Sequence, residues 1–170
     1  MFKMILCIML VTACGAAGIL KAQSFSQRVT ELADLRDTCR ILKTEISYMK
    51  DPLPVIFERL GNSRDSFACG ILRSCSELMK ERHDMQESWC CGVDMAVRNS
   101  ALTKEDKAVI YDLGNQLGKS NVRGQIDLLD MTNEKLAVQI KEAENLKKTK
   151  GKMYAGLGFS IGTVIAILLI

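Results

Sequence analysis

No charged side chain follows Lys152 in this sequence of 170 residues. Residues 153–170 are apolar or small, and Lys147, Lys148, Lys150 and Lys152 border them on the upstream side alone. At about 1.5 Å of rise per residue, roughly 20 apolar residues cross a bilayer core, so this tail is just long enough for a membrane helix. The one-sided lysine edge favours that reading over a helix buried in a soluble core. Ahead of the tail, Val122, Ile126, Leu129, Asn133, Leu136, Ile140 and Ala143 advance by fours and threes, which lines side chains along one helical face. A long amphipathic helix is expected to run into an apolar anchor.

The other end is similar. Lys3 is the one charge in residues 1–20. A transmembrane helix over 1–21 fits this stretch, as does a cleaved secretory signal. A lipoprotein signal is a third reading, since Val11-Thr12-Ala13 places small residues before Cys14. Charge orders the three. Lys21 and Arg28 follow the first apolar segment and the lysine cluster precedes the second, so the positive-inside tendency keeps residues 22–152 in the cytoplasm. Both secretion readings would put them outside.

Between the ends, Leu32, Leu35, Cys39, Leu42, Ile46 and Met49 repeat the three-four spacing. That is the seam of a long helix continuous with the first apolar segment. Asp51-Pro52-Leu53-Pro54 stops it, because Pro lacks a donor and disfavours helix in the residue before it. Shorter helices follow: one over 55–60 ending at Gly61, one from Phe67 to about 82, and one carrying Met85, Trp89 and Val93. Another starts at Thr103 with Asp106 three residues on, a capping-box spacing, and is closed by Gly118. Ser120 or Asn121 caps the last long helix. Pro occurs only twice and no apolar-polar alternation of strand type is present, so the fold class is all-α. The expected architecture is an antiparallel bundle with two long framing helices, shorter inserted helices, and transmembrane helices at both ends. A net charge of +3, with no basic stripe interleaved with aromatics, gives no sign of nucleic-acid binding.

Little here looks catalytic. None of the seven cysteines shows the two-residue gap of zinc or dithiol sites, and adjacent Cys90 and Cys91 point about 100° apart on a helix. Buried thiols in a reducing compartment are the simpler account. His83 lies between Arg82 and Asp84 at a helix boundary, with no nucleophile identified. Gly118-Lys119-Ser120 imitates the end of a phosphate-binding loop. The glycine before it, Gly114, is one residue too close, and a helix precedes it instead of a strand. No catalytic residue, cofactor or metal site is assigned. Gly158 and Gly162 form a small-xxx-small face in the tail, suited to pairing of the two apolar segments or to assembly into a homo-oligomer.

Two stretches carry a family resemblance: Glu45-Ile46-x-Tyr48-x-x-x-Pro52-Leu53, and Leu113-Gly114-x-x-Leu117-Gly118-x-x-Asn121-x-x-x-Gln125. With Trp89 and residues 157–159, they make the chain resemble the stage III sporulation protein AB family over nearly its whole length. Family members usually carry Asp where this chain has Asn121. The family is in turn similar to the cytoplasmic helical domain of the inner-membrane platform protein of type II secretion and type IV pili. The resemblance implies a non-enzymatic platform or adaptor in the membrane-spanning channel between mother cell and forespore. It also implies a hexameric cytoplasmic secretion-type ATPase, of the stage III sporulation protein AA kind, as partner, alongside other membrane components of the channel. The expected location is the mother-cell membrane around the forespore, with the bundle facing the cytoplasm.

Glu45 and Tyr48 flank the Leu42-Ile46-Met49 seam. They could face a neighbouring helix or a partner, or form a buried Tyr-Glu hydrogen bond. Pro52 and Gly118 read as shape-determining residues at the two turns. Competing functions are a lipoprotein or secreted helical domain outside the membrane, a thiol- or metal-dependent enzyme, and a pore.

Overall fold

The computed structural model describes residues 2–49, 51–81, 84–151 and 153–154; for residues 2–8, 10, 11 and 14 it describes the backbone alone. These residues form six α-helices and one π-helical turn, with no strand among them. The helices are α1 (Phe2–Tyr48), α2 (Leu53–Gly61), α3 (Phe67–Lys80), α4 (Met85–Val97), α5 (Lys104–Gln116) and α6 (Val122–Leu146). The first apolar stretch and the first bundle helix are therefore one helix. At the other end, the lysine cluster winds as a π-helix over Lys147–Gly151.

The described residues divide into two compact units, one within 1–29 and 141–170, the other Thr30–Ile140. In the first, the Phe25 and Tyr154 rings stack at 6.0 Å, with Lys21 Nζ 6.0 Å from the Phe25 centroid. Arg28 lies 4.0 Å from Glu142. Residues 155–170, and with them Gly158 and Gly162, lie outside the described residues. Among the described residues no helix is long and apolar enough to cross a membrane.

The second unit is the bundle. Its α1 seam is buried at Leu32, Leu35, Cys39, Leu42 and Ile46, and α6 adds Leu129 and Leu136. Lys43 Nζ donates to both carboxylate oxygens of Asp130, at 2.6 and 2.7 Å, and marks where α1 and α6 run side by side. The seams stop sooner than their spacing suggests. Met49 and Val122 are both exposed, because each lies beside a chain reversal. The central Asn133 is half-buried, with its Oδ1 buried and unpartnered.

The short helices complete the core. The middle helix, α3, packs on both α2 and α4, and α4 packs on α5. Ile56, Phe57, Ile71, Leu72, Trp89 and Val93 are all buried. Local signals fix the helix starts. Ser66 Oγ accepts from Cys69 N, Asp84 accepts from Gln86 N, and Thr103 and Asp106 form the full reciprocal box. Expected helix boundaries shift at two places. The second helix, α2, begins at Leu53 rather than 55, since Pro54 sits in a first turn that needs no donor from it. The fifth, α5, ends at Gln116, two residues before Gly118.

Candidate partner-binding site

Two chain reversals meet at one end of the bundle. The first joins α1 to α2. Pro52 is extended at φ −59° and ψ 142°, and its carbonyl accepts from Val55 N and Ile56 N, starting α2 at once. Arg59, in the last turn of α2, reaches back to Glu45 on α1 and, at 3.1 Å, to Asp51 in the turn. The hydrogen bond to Asp51, then that to Glu45, raises the Arg59 pKa above its usual value. This three-group contact ties the end of α1 to α2.

The second reversal joins α5 to α6. Leu117 sits at φ −64° and ψ 136° and Gly118 at φ +83°, the central pair of a type II turn, with Lys119 N donating to Gln116 O at 3.3 Å. Leu113 and Leu117 are buried. Gly114 makes room for the Trp89 indole: a Cβ there would lie 1.9 Å from Trp89 Cδ1. The indole Nε1 donates to Ile110 O at 2.9 Å, so the ring is held both by packing and by a hydrogen bond. Asn121 Oδ1 accepts from Gly124 N at 2.9 Å and caps α6. Gln125 Nε2 donates to Ser120 O at 3.1 Å, while its Oε1 is buried and unpartnered.

The two reversals touch. Leu53 Cδ1 lies 3.3 Å from the position a Gly118 Cβ would take. Ile46, Ser47, Asp51 and Leu53 share with Val122 and Gln125 a cleft of about 360 Å³. Residues from both sequence stretches thus line one small site. Tyr48, next to Ser47 in the chain, does not line this cleft; it is 81% exposed, so the buried Tyr-Glu hydrogen bond is not formed and Glu45 pairs with Arg59 instead. Sequence reasoning missed Arg59, Asp51 and Val122 as members of this end. Only the proximity of Asp51 to Pro52 could have hinted at it, because the contacts join residues of different helices.

The internal hollow, about 20 Å³ and walled by residues such as Leu35, Ile71, Trp89 and Leu136, has room for one water at most. Among the described residues no group of three or more His, Cys, Asp or Glu side chains could hold a metal ion. Burial pushes the thiols of Cys39 and Cys75 up to about 12, which keeps them protonated and poorly nucleophilic. Cys90 is also raised, first by burial and then by Asp94.

Comparison with known proteins is consistent across three routes. Residues 3–170 match the family model described as Stage III sporulation protein AB. Stage III sporulation protein AB of Bacillus subtilis (strain 168) is 21% identical over 170 residues, covering 99% of each chain. A solved structure of stage III sporulation protein AB superposes with a TM-score of 0.64 at 19% identity, covering 71% of this chain and 96% of that one. At such identity the superposition speaks for the fold.

Proposed function

This chain belongs to the stage III sporulation protein AB family, and from that premise we propose that it is a non-enzymatic, membrane-anchored adaptor of the channel between mother cell and forespore. In this reading the bundle faces the mother-cell cytoplasm and couples or anchors a hexameric secretion-type ATPase to the membrane. The single observation that carries it is the convergence of Ile46, Ser47, Asp51 and Leu53 with Val122 and Gln125 on one cleft, next in the chain to the exposed Tyr48. Tyrosine is among the side chains that most often anchor protein interfaces, which suits Tyr48 to docking. The apolar stretches at 1–21 and 153–170 supply the anchors, and Gly158 and Gly162 their packing face.

Topology tests this first. Cys91 is exposed while Cys39, Cys69 and Cys75 are buried, so native cysteines are replaced and a single one is placed at exposed Lys104. A membrane-impermeant maleimide should leave that thiol unlabelled until the cells are lysed. Labelling in intact cells would put the bundle outside and sink the ATPase adaptor in favour of a lipoprotein processed at Cys14.

A further inference from the structure

A second surface of the bundle adjoins the site above at Ser47, which lines both, and Tyr48 lies along it. A groove of about 730 Å³ runs between α1 and α6. Its α1 wall carries Arg36, Arg40 and Lys43, spaced four and three apart, with Arg40 3.7 Å from Asp37 in an exposed pair, and its α6 wall carries Asp130 and Glu134. Arg36 and Asn133 are among the lining residues, and their Nε and Oδ1 atoms, buried beneath it, find no hydrogen-bond partner within the chain. Exposed apolar side chains stand beyond each wall, Ile41 on α1, and Met131 and Val138 on α6.

We propose that this groove is the contact surface of a symmetric dimer, its occupant a second copy of the same chain. The argument is self-complementarity. An isologous interface must match its own surface after a twofold rotation. An axis parallel to α1 and α6 sets the cationic α1 wall of one copy against the acidic α6 wall of the other. Lys43 and Asp130 are already level within one chain, so this axis also preserves height. Arg40 then meets the partner's Glu134, and Ile41 comes level with the partner's Met131. An axis perpendicular to the helices would instead oppose α1 to α1, cation against cation, and charge selects against it. The parallel axis also points both copies the same way, as two chains in one membrane must point; that step rests on the anchored reading above.

Charge reversal in trans tests it, using the full-length chain purified in detergent, without ATPase, with mass followed by light scattering. The wild type should be a dimer. Arg40→Glu alone and Glu134→Arg alone should each weaken association about tenfold or more by opposing like charges. A one-to-one mixture of the two variants should associate again. In that mixed pair the introduced carboxylate meets the introduced guanidinium, and native Glu134 of one copy meets native Arg40 of the other. Because neither variant repairs itself, rescue cannot come from within one chain. A monomeric wild type, two single variants that dimerise like wild type, or a mixture that stays apart would each overturn the proposal. So would a monomeric wild type that binds the ATPase through this groove, with both substitutions weakening that binding. The maleimide result is independent of all these outcomes, so the dimer can fail while the adaptor reading stands.

Discussion

The two chain reversals at the end of the bundle turn the chain by opposite means. The α5–α6 turn is made by subtraction: Gly114 lacks the Cβ that Trp89 would strike, and Gly118 lacks the one that φ +83° would strain. The α1–α2 turn is made by addition. Pro52 and Pro54 set its backbone, and Arg59 braces it with two carboxylates. One reversal buries three of its motif residues, Leu113, Gly114 and Leu117, and the other displays Tyr48 to solvent. A sequence motif can therefore be architecture in one half and surface in the other, and substitutions should separate the halves.

The largest effect is expected at Gly114. Gly114→Ala places a methyl 1.9 Å from the Trp89 ring, with no flexible side-chain end to yield. Overpacking of a filled core costs about 1–3 kcal/mol and sometimes more, and this contact belongs at the upper end. A fall of that size in the unfolding free energy from urea titration is the check; an unchanged value would mean that Trp89 leaves its place freely. Gly118→Ala should cost less, about 1–2 kcal/mol, mainly for forcing an L side chain into the left-handed region. Met85 Sδ, 2.9 Å from the new methyl, can swing away.

These two glycines show what was legible. Gly118 could be read as the turn residue because a turn is local. The need for Gly114 could not, because Trp89 is far from it in sequence and only the α4–α5 packing brings them together. The seams over 32–46 and 129–143 were readable from period alone. Their ends, at Met49 and Val122, were not, since spacing does not say where a neighbouring helix runs out. Pro54 misled for the converse reason: a proline that breaks a helix interior is harmless in the first turn. The Arg59 brace and the charged groove depend on which helix faces which, and no single-sequence pattern encodes that.

Asn121 sharpens the comparison at the next scale down. Asn121→Ala removes the acceptor for Gly124 N and should cost about 1 kcal/mol, the usual loss of a helix cap. Asn121→Asp should leave stability within about 0.5 kcal/mol, because Asn and Asp cap with similar strength. Thermal unfolding of the pair decides the matter. If the Asp variant instead changes ATPase recruitment at unchanged stability, this position acts in the surface half of the motif as well as in the architectural one.

The smallest stability effect, and the most informative, belongs to Tyr48. With 81% of the residue exposed there is little packing to lose, so Tyr48→Ala should shift stability by no more than about 0.5 kcal/mol. In the adaptor reading the same substitution removes an aromatic anchor from the docking end, and co-purification of the ATPase from membranes should fall several-fold. Gly118→Ala gives the contrast. It strains the adjoining turn but leaves Tyr48 in place, so recruitment should follow whatever fraction of the domain stays folded. Were Tyr48→Ala to recruit normally while Gly118→Ala lost recruitment beyond its loss of folded protein, the assignment of roles to the two reversals would be inverted. The α5–α6 turn would then be the docking element, and the tyrosine incidental to it.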